Sequence, residues 1–102
     1  MVSHQLHIQV RLGRGGDYYK AFQELEQAMR ANKLPPSRLW NPTSGKVNHF
    51  IIITEFDSLA AFDAGIKRLQ TDPMFMKLWR GSLDLLDETP WDELWETTIQ
   101  GA

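Results

Sequence analysis

The stretch NHFIIITEF, residues 48–56, constrains the fold more than any other part of the chain. A strand that covers a core on one side alternates apolar and polar residues. Here Phe50, Ile52 and Phe56 fall on one face of an extended chain, and Ile51 and Ile53 on the other. Both faces need cover, in a chain of 102 residues. That length supplies one hydrophobic core and not two, so residues 1–102 read as a single domain.

The flanking segments follow in a definite order. HQLHIQVRL, residues 4–12, sets Leu6, Ile8, Val10 and Leu12 against Gln5, His7, Gln9 and Arg11, the period of two of a strand. GRGG at 13–16 breaks it, and Asp17 is placed to cap a helix running to about Asn32. Tyr18, Phe22, Leu25 and Met29 form the apolar stripe of that helix. The prolines of KLPPSR end it. SRLWN, 37–41, is a short strand, and NPTSG turns the chain back into a strand over 47–56. DS at 57–58 caps a second helix with Leu59, Phe62, Ile66 and Leu69 on one stripe, and Gly65 inside it suits a close approach to the sheet. TDP at 71–73, with Asp72 as cap, starts a third helix through about residue 87, and DELWETTIQ, 92–100, finishes as an edge strand.

The order β-α-β-β-α-α-β predicts an α+β fold, with a four-stranded sheet and helices on one face. Two covers for the other face stay open. One is a second copy of the chain, related by a two-fold axis. The other is the late helix, residues 73–87, folding across it.

Composition narrows the function classes. There is no cysteine, hence no disulfide, thiolate nucleophile or Cys-based zinc site, and a reducing cytoplasm fits best. No run approaches the roughly 18 apolar residues of a membrane helix. A net charge of −2 gives no basic field for nucleic acid. The acidic stretch over 84–96 reads first as a solvated face.

FIIITEFDSLAAFDAG, a strand running into a helix, followed by the DP restart at 72–73, resembles the dimeric α+β barrel superfamily. The ELW at 93–95 makes the chain most similar to NIPSNAP-type domains. The resemblance implies a ferredoxin-like subunit whose sheet packs on that of a second copy. Superfamily relatives include cofactor-free monooxygenases, haem-degrading enzymes and isomerases. NIPSNAP-type domains share no catalytic motif, so no residue is carried over as catalytic.

The polar half of the first strand, Gln5, His7, Gln9 and Arg11, is then expected to point away from the helices and line a pocket, or to serve an interface between copies. His7, ahead of His49, is the candidate general base; His49 is expected to share a face with Glu55, and a neighbouring strand to bring His7 close, since a His–carboxylate pair can serve as base and orienter. Trp40, Trp91 and Trp95 are candidates to stack on a planar ligand or pack at the interface. GRGGD matches no phosphate loop, and Asp17 would repel an anion there. No metal or other cofactor is expected. Two functions stand: a homodimeric binding or assembly module for a small, partly apolar molecule, or a cofactor-free enzyme, of monooxygenase or isomerase type, acting on a small carbonyl or phenolic compound.

Overall fold

The computed structural model describes residues 1–98. Its elements run β1 (Val2–Gln9), α1 (Gly15–Ala31), β2 (Ser37–Trp40), β3 (His49–Phe56), α2 (Leu59–Gln70), α3 (Pro73–Leu83) and β4 (Trp91–Glu96). The order is the one the sequence predicts. Ile99 and Gln100, the end of the expected last strand, lie outside the described residues.

The four strands form one antiparallel sheet in the order β2-β3-β1-β4. This is a ferredoxin-like α+β arrangement. Val2, Ile8, Phe50, Ile52 and Phe56 are buried on one face of the sheet. Two clusters cover that face. Val2 and Phe56 pack with Leu25 of α1, Leu69 of α2 and Phe75 of α3. Ile8, Val10, Phe50 and Ile52 pack with Tyr18 of α1 and with Leu86. All three helices therefore occupy the same side of the sheet.

That placement removes one of the two covers for the second face. The late helix does not cross it, because Phe75 binds α3 to the core beneath Phe56. The cross-strand register shows what the open face carries. Trp40 stands beside Ile51, Ile51 beside His7, and His7 beside Trp91, one row across all four strands. Arg38, Ile53, Gln5 and Glu93 form the next row. Trp40, Trp91 and Trp95 are each at least half exposed there, at 51%, 51% and 57%.

Several boundaries differ from those expected. β1 stops at Gln9, and Val10 makes a single bridge to Leu86, so Leu12 is exposed and not part of an apolar row. α1 begins two residues before Asp17. Arg14 precedes it without a side-chain cap, and Asp17 lies in the first turn, paired with Arg14 at 2.6 Å. An acidic side chain suits that turn through the helix dipole. The expected caps at Ser58 and Asp72 both form, accepting from Ala61 N–H and Met74 N–H. α3 ends at Leu83, four residues early, which frees Leu86 to enter the second cluster. Among the described residues no helix is long and apolar enough to cross a membrane.

Candidate functional site

Two places on the sheet gather groups that could act chemically, one on each face. On the open face, His7 is the centre of an array. It is 8% exposed although it faces away from the helices, because neighbouring side chains enclose it. The Trp91 ring lies flat on its imidazole, centroids 3.7 Å apart and planes 3° from parallel. His7 Nε2 is 3.0 Å from Glu93 Oε1, and His7 Nδ1 is 3.0 Å from His49 Nε2.

With Glu93 ionised and His7 neutral, the two contacts assign the protons. An ionised carboxylate only accepts, so His7 Nε2–H donates to Glu93. In neutral His7 the other nitrogen, Nδ1, is then the acceptor and receives the His49 Nε2–H. Both nitrogens of His7 are committed. The free lone pair of the array is on His49 Nδ1, which has no hydrogen-bond partner among the described residues. Glu93, His7 and His49 thus form a relay that ends one residue further on than the sequence suggests, and His7 stands in its middle.

The other expected site residues separate. Gln9 borders the array, with its amide donating to the Val47 carbonyl at 2.6 Å. Gln5 sits beside Ile53 and Glu93. Trp40 lies across Ile51 from His7. Trp95 lies further along the strand, opposite Ser3. Arg11 is beyond the strand end, where its guanidinium meets the Asp84 carbonyl and, at 3.8 Å, Asp87. The acidic stretch is not merely solvated. Asp87, Glu88, Asp92 and Glu93 each meet a basic or imidazole group from elsewhere in the chain.

Gln9, His7 and His49 also line a small pocket of about 190 Å³ at the sheet end, with Lys46, Glu88, Thr89 and Trp91. Lys46 Nζ is held by Glu88 at 2.6 Å. Beside it a shallower groove of about 470 Å³ runs over Trp40, His49, Ile51 and Ile53. Among the described residues, no group of three His, Asp or Glu side chains could hold a metal ion.

The second place lies between sheet and helices and was not expected. A cavity of about 330 Å³ is walled by apolar side chains that include Leu6, Phe22, Met29, Phe62, Met76 and Trp79. Its polar wall residues are His4, Thr54, Gln70 and Asp92. Thr54 is already bonded to Ser37. At one end His4 Nε2 lies 2.9 Å from Asp92 Oδ2, and the His4 ring packs 5.3 Å from that of Phe62. The stripes of α1 and α2 showed which residues are apolar. They gave no sign that the stripes leave a space where they meet.

Glu93 and Trp91 were missed as partners of His7. They sit two apart on one strand, as a shared face requires, but only the pairing of β4 with β1 brings them to His7.

Comparisons with known proteins agree with this geometry at the level of fold. An uncharacterised NIPSNAP domain protein from Burkholderia xenovorans is 16% identical over 100% of this chain and 99% of its own, with a TM-score of 0.83. A NIPSNAP family protein from Agrobacterium tumefaciens is 16% identical over 95% of this chain and 92% of its own, at 0.79. A cofactor-independent oxygenase from Streptomyces nogalater is 15% identical over 97% of this chain and 94% of its own, at 0.75. No curated protein matches the chain. The NIPSNAP family model matches residues 8–90, from the last two residues of β1 to the residue before β4, and the chain belongs to the NIPSNAP family.

Proposed function

We propose that the chain works as a homodimer closed across its open sheet face, each subunit holding a small, mainly apolar molecule between sheet and helices. The observation that carries the ligand is the cavity of about 330 Å³, apolar along its walls and polar at the His4–Asp92 end. Such a site suits a ring or branched carbon skeleton bearing one hydrogen-bonding group. The dimer is supported by the open face itself. It carries three exposed tryptophans along with Ile51 and Ile53, and no helix among the described residues lies on that side. A second copy offers the same patch to the first and covers both. In this reading Gln5, Trp40 and Trp95 serve the contact between copies.

Calorimetric titration with 1-naphthol tests the ligand part. Saturable binding at about one per subunit is expected. It should be lost in Met76→Trp, which fills the space, and weakened in Ile66→Phe, a smaller intrusion. Binding that is absent in the wild type, or equal in all three proteins, overturns the proposal.

A second reading is favoured by the Glu93–His7–His49 relay. Neighbours of the same fold include an antibiotic biosynthesis monooxygenase and the cofactor-independent oxygenase. Cofactor-free chemistry on a small carbonyl or phenolic compound is the activity this relay would serve, with His49 in place of His7 as the base.

A further inference from the structure

The pocket at the sheet end has an acceptor, a chain that aims it and a cation. The acceptor is His49 Nδ1. Its ring is oriented by the bond from Nε2–H to His7 Nδ1, and His7 is in turn oriented by Glu93 on one side and by the stacked Trp91 on its face. This is the arrangement in which a carboxylate and an imidazole hold a second imidazole in one tautomer. The cation is Lys46, which lines the same pocket beside Glu88, its ammonium 2.6 Å from that carboxylate. Gln9 and Thr89 add polar wall.

The size and lining restrict what fits. About 190 Å³ admits a molecule of a few heavy atoms. The polar wall selects against a hydrocarbon and for a compound carrying both a carbonyl and a hydroxyl. The lining comes from strand ends and from the segments around residues 46 and 88, not from Ile51 and Ile53. Trp91 belongs to both, so the site borders the surface assigned to the second copy.

We propose that His49 is the catalytic base of a site for small α-hydroxy-carbonyl compounds, with His7 and Glu93 as its positioning pair. The step is a proton transfer. A C–H bond next to the carbonyl breaks, its proton passes to His49 Nδ1, and its electron pair moves to the carbonyl oxygen as an enolate facing Lys46. The imidazolium then returns a proton to the same carbon, which gives exchange, or to the former carbonyl carbon while the hydroxyl proton passes to the enolate oxygen, which gives isomerisation. Atoms and electrons balance without a further reactant. The inference rests on the second functional reading above, and is independent of the apolar cavity.

The test uses hydroxyacetone in deuterated water, with deuterium incorporation followed by proton NMR. The wild-type protein is expected to accelerate exchange over buffer, and His49→Ala to lose roughly a hundredfold of that acceleration. Glu93→Gln is expected to lose about tenfold, since the amide offers a donor as well as an acceptor to His7 and no longer fixes its tautomer. Nitrogen-15 spectra of the histidines read the positioning directly: Nε2–H on both His7 and His49 in the wild type, and a mixture of tautomers in Glu93→Gln. Equal exchange in wild type and His49→Ala overturns the proposal. So does a wild-type spectrum with the His49 proton on Nδ1. Retention of 1-naphthol binding in His49→Ala separates failure here from failure of the cavity reading.

Discussion

Tyr18 shows how much a single side chain on the α1 stripe contributes and what it costs. The residue is fully buried in the second cluster, its ring parallel to that of Phe50, yet its hydroxyl has no hydrogen-bond partner among the described residues. The ring's burial outweighs the unmade bond, because an aromatic of this size removes a large apolar area from water. Burial also pushes the phenol well above the ordinary tyrosine value of 10.0. Folding therefore favours the neutral form. Its contribution is complete below that value and declines as pH rises past it toward the folded value. Tyr18→Phe is expected to hold stability or raise it by up to about 1 kcal/mol in urea unfolding, and to flatten the alkaline decline. A loss above about 1 kcal/mol would mean that the hydroxyl has a partner. Asp72 titrates in the opposite sense. The Asn32 amide, 2.7 Å away, and the Met74 N–H hold its carboxyl below the usual range. Its cap is complete above the ordinary carboxylate value and is lost as pH falls through the lowered one. Asp72→Asn should lower the thermal midpoint at neutral pH and show a weaker acid dependence, which melting curves across the acid range will measure. The Asp72 cap was legible because Asp followed by Pro marks a helix start locally. The tyrosine's orphaned hydroxyl was not, since partners are assigned only by the packed structure.

At the scale of elements, local chemistry was a good guide to the type of each segment and a poorer one to its ends. Alternation in β1 and β3, and the stripes of α1 and α2, place the right residues on the right faces, because side-chain periodicity is a property of the backbone alone. The ends moved where a distant contact decided them. Val10 leaves the β1 ladder to bridge Leu86, and that shift both ends the strand and shortens α3. Gly65 is the element-level feature that sequence and structure read alike. A Cβ there would lie 3.2 Å from Leu34 Cγ and 3.4 Å from Phe56 Cε1, so α2 rests closely on the end of β3 and the chain before β2. Gly65→Ala sets a helix gain of about 1 kcal/mol against this crowding and should change stability little. Gly65→Val adds bulk with no room to take it and is expected to destabilise by about 1–3 kcal/mol in chemical denaturation. An unaltered midpoint in the valine variant would show that α2 can move off the sheet. The relay belongs to this scale too. His7 and Glu93 are 86 residues apart in sequence, and only the β1–β4 register makes them neighbours.

For the whole molecule, the two-sided apolarity of β3 remains the governing feature. One side lies under three helices. The other presents Ile51 and Ile53 between tryptophans at both edges of the sheet. Read from sequence, the need for a cover was plain and its source was not, because the position of α3 depends on Phe75 finding Leu25 and Leu69. With α3 on the helix side, a second copy is the cover we propose. Sedimentation equilibrium on the wild type and on Ile53→Asp measures this most directly. The account predicts a wild-type dimer at micromolar concentration, and a monomer with unaltered circular dichroism in the variant, where a charge sits at the centre of the contact. A wild-type monomer, or a dimer that survives Ile53→Asp, would contradict it.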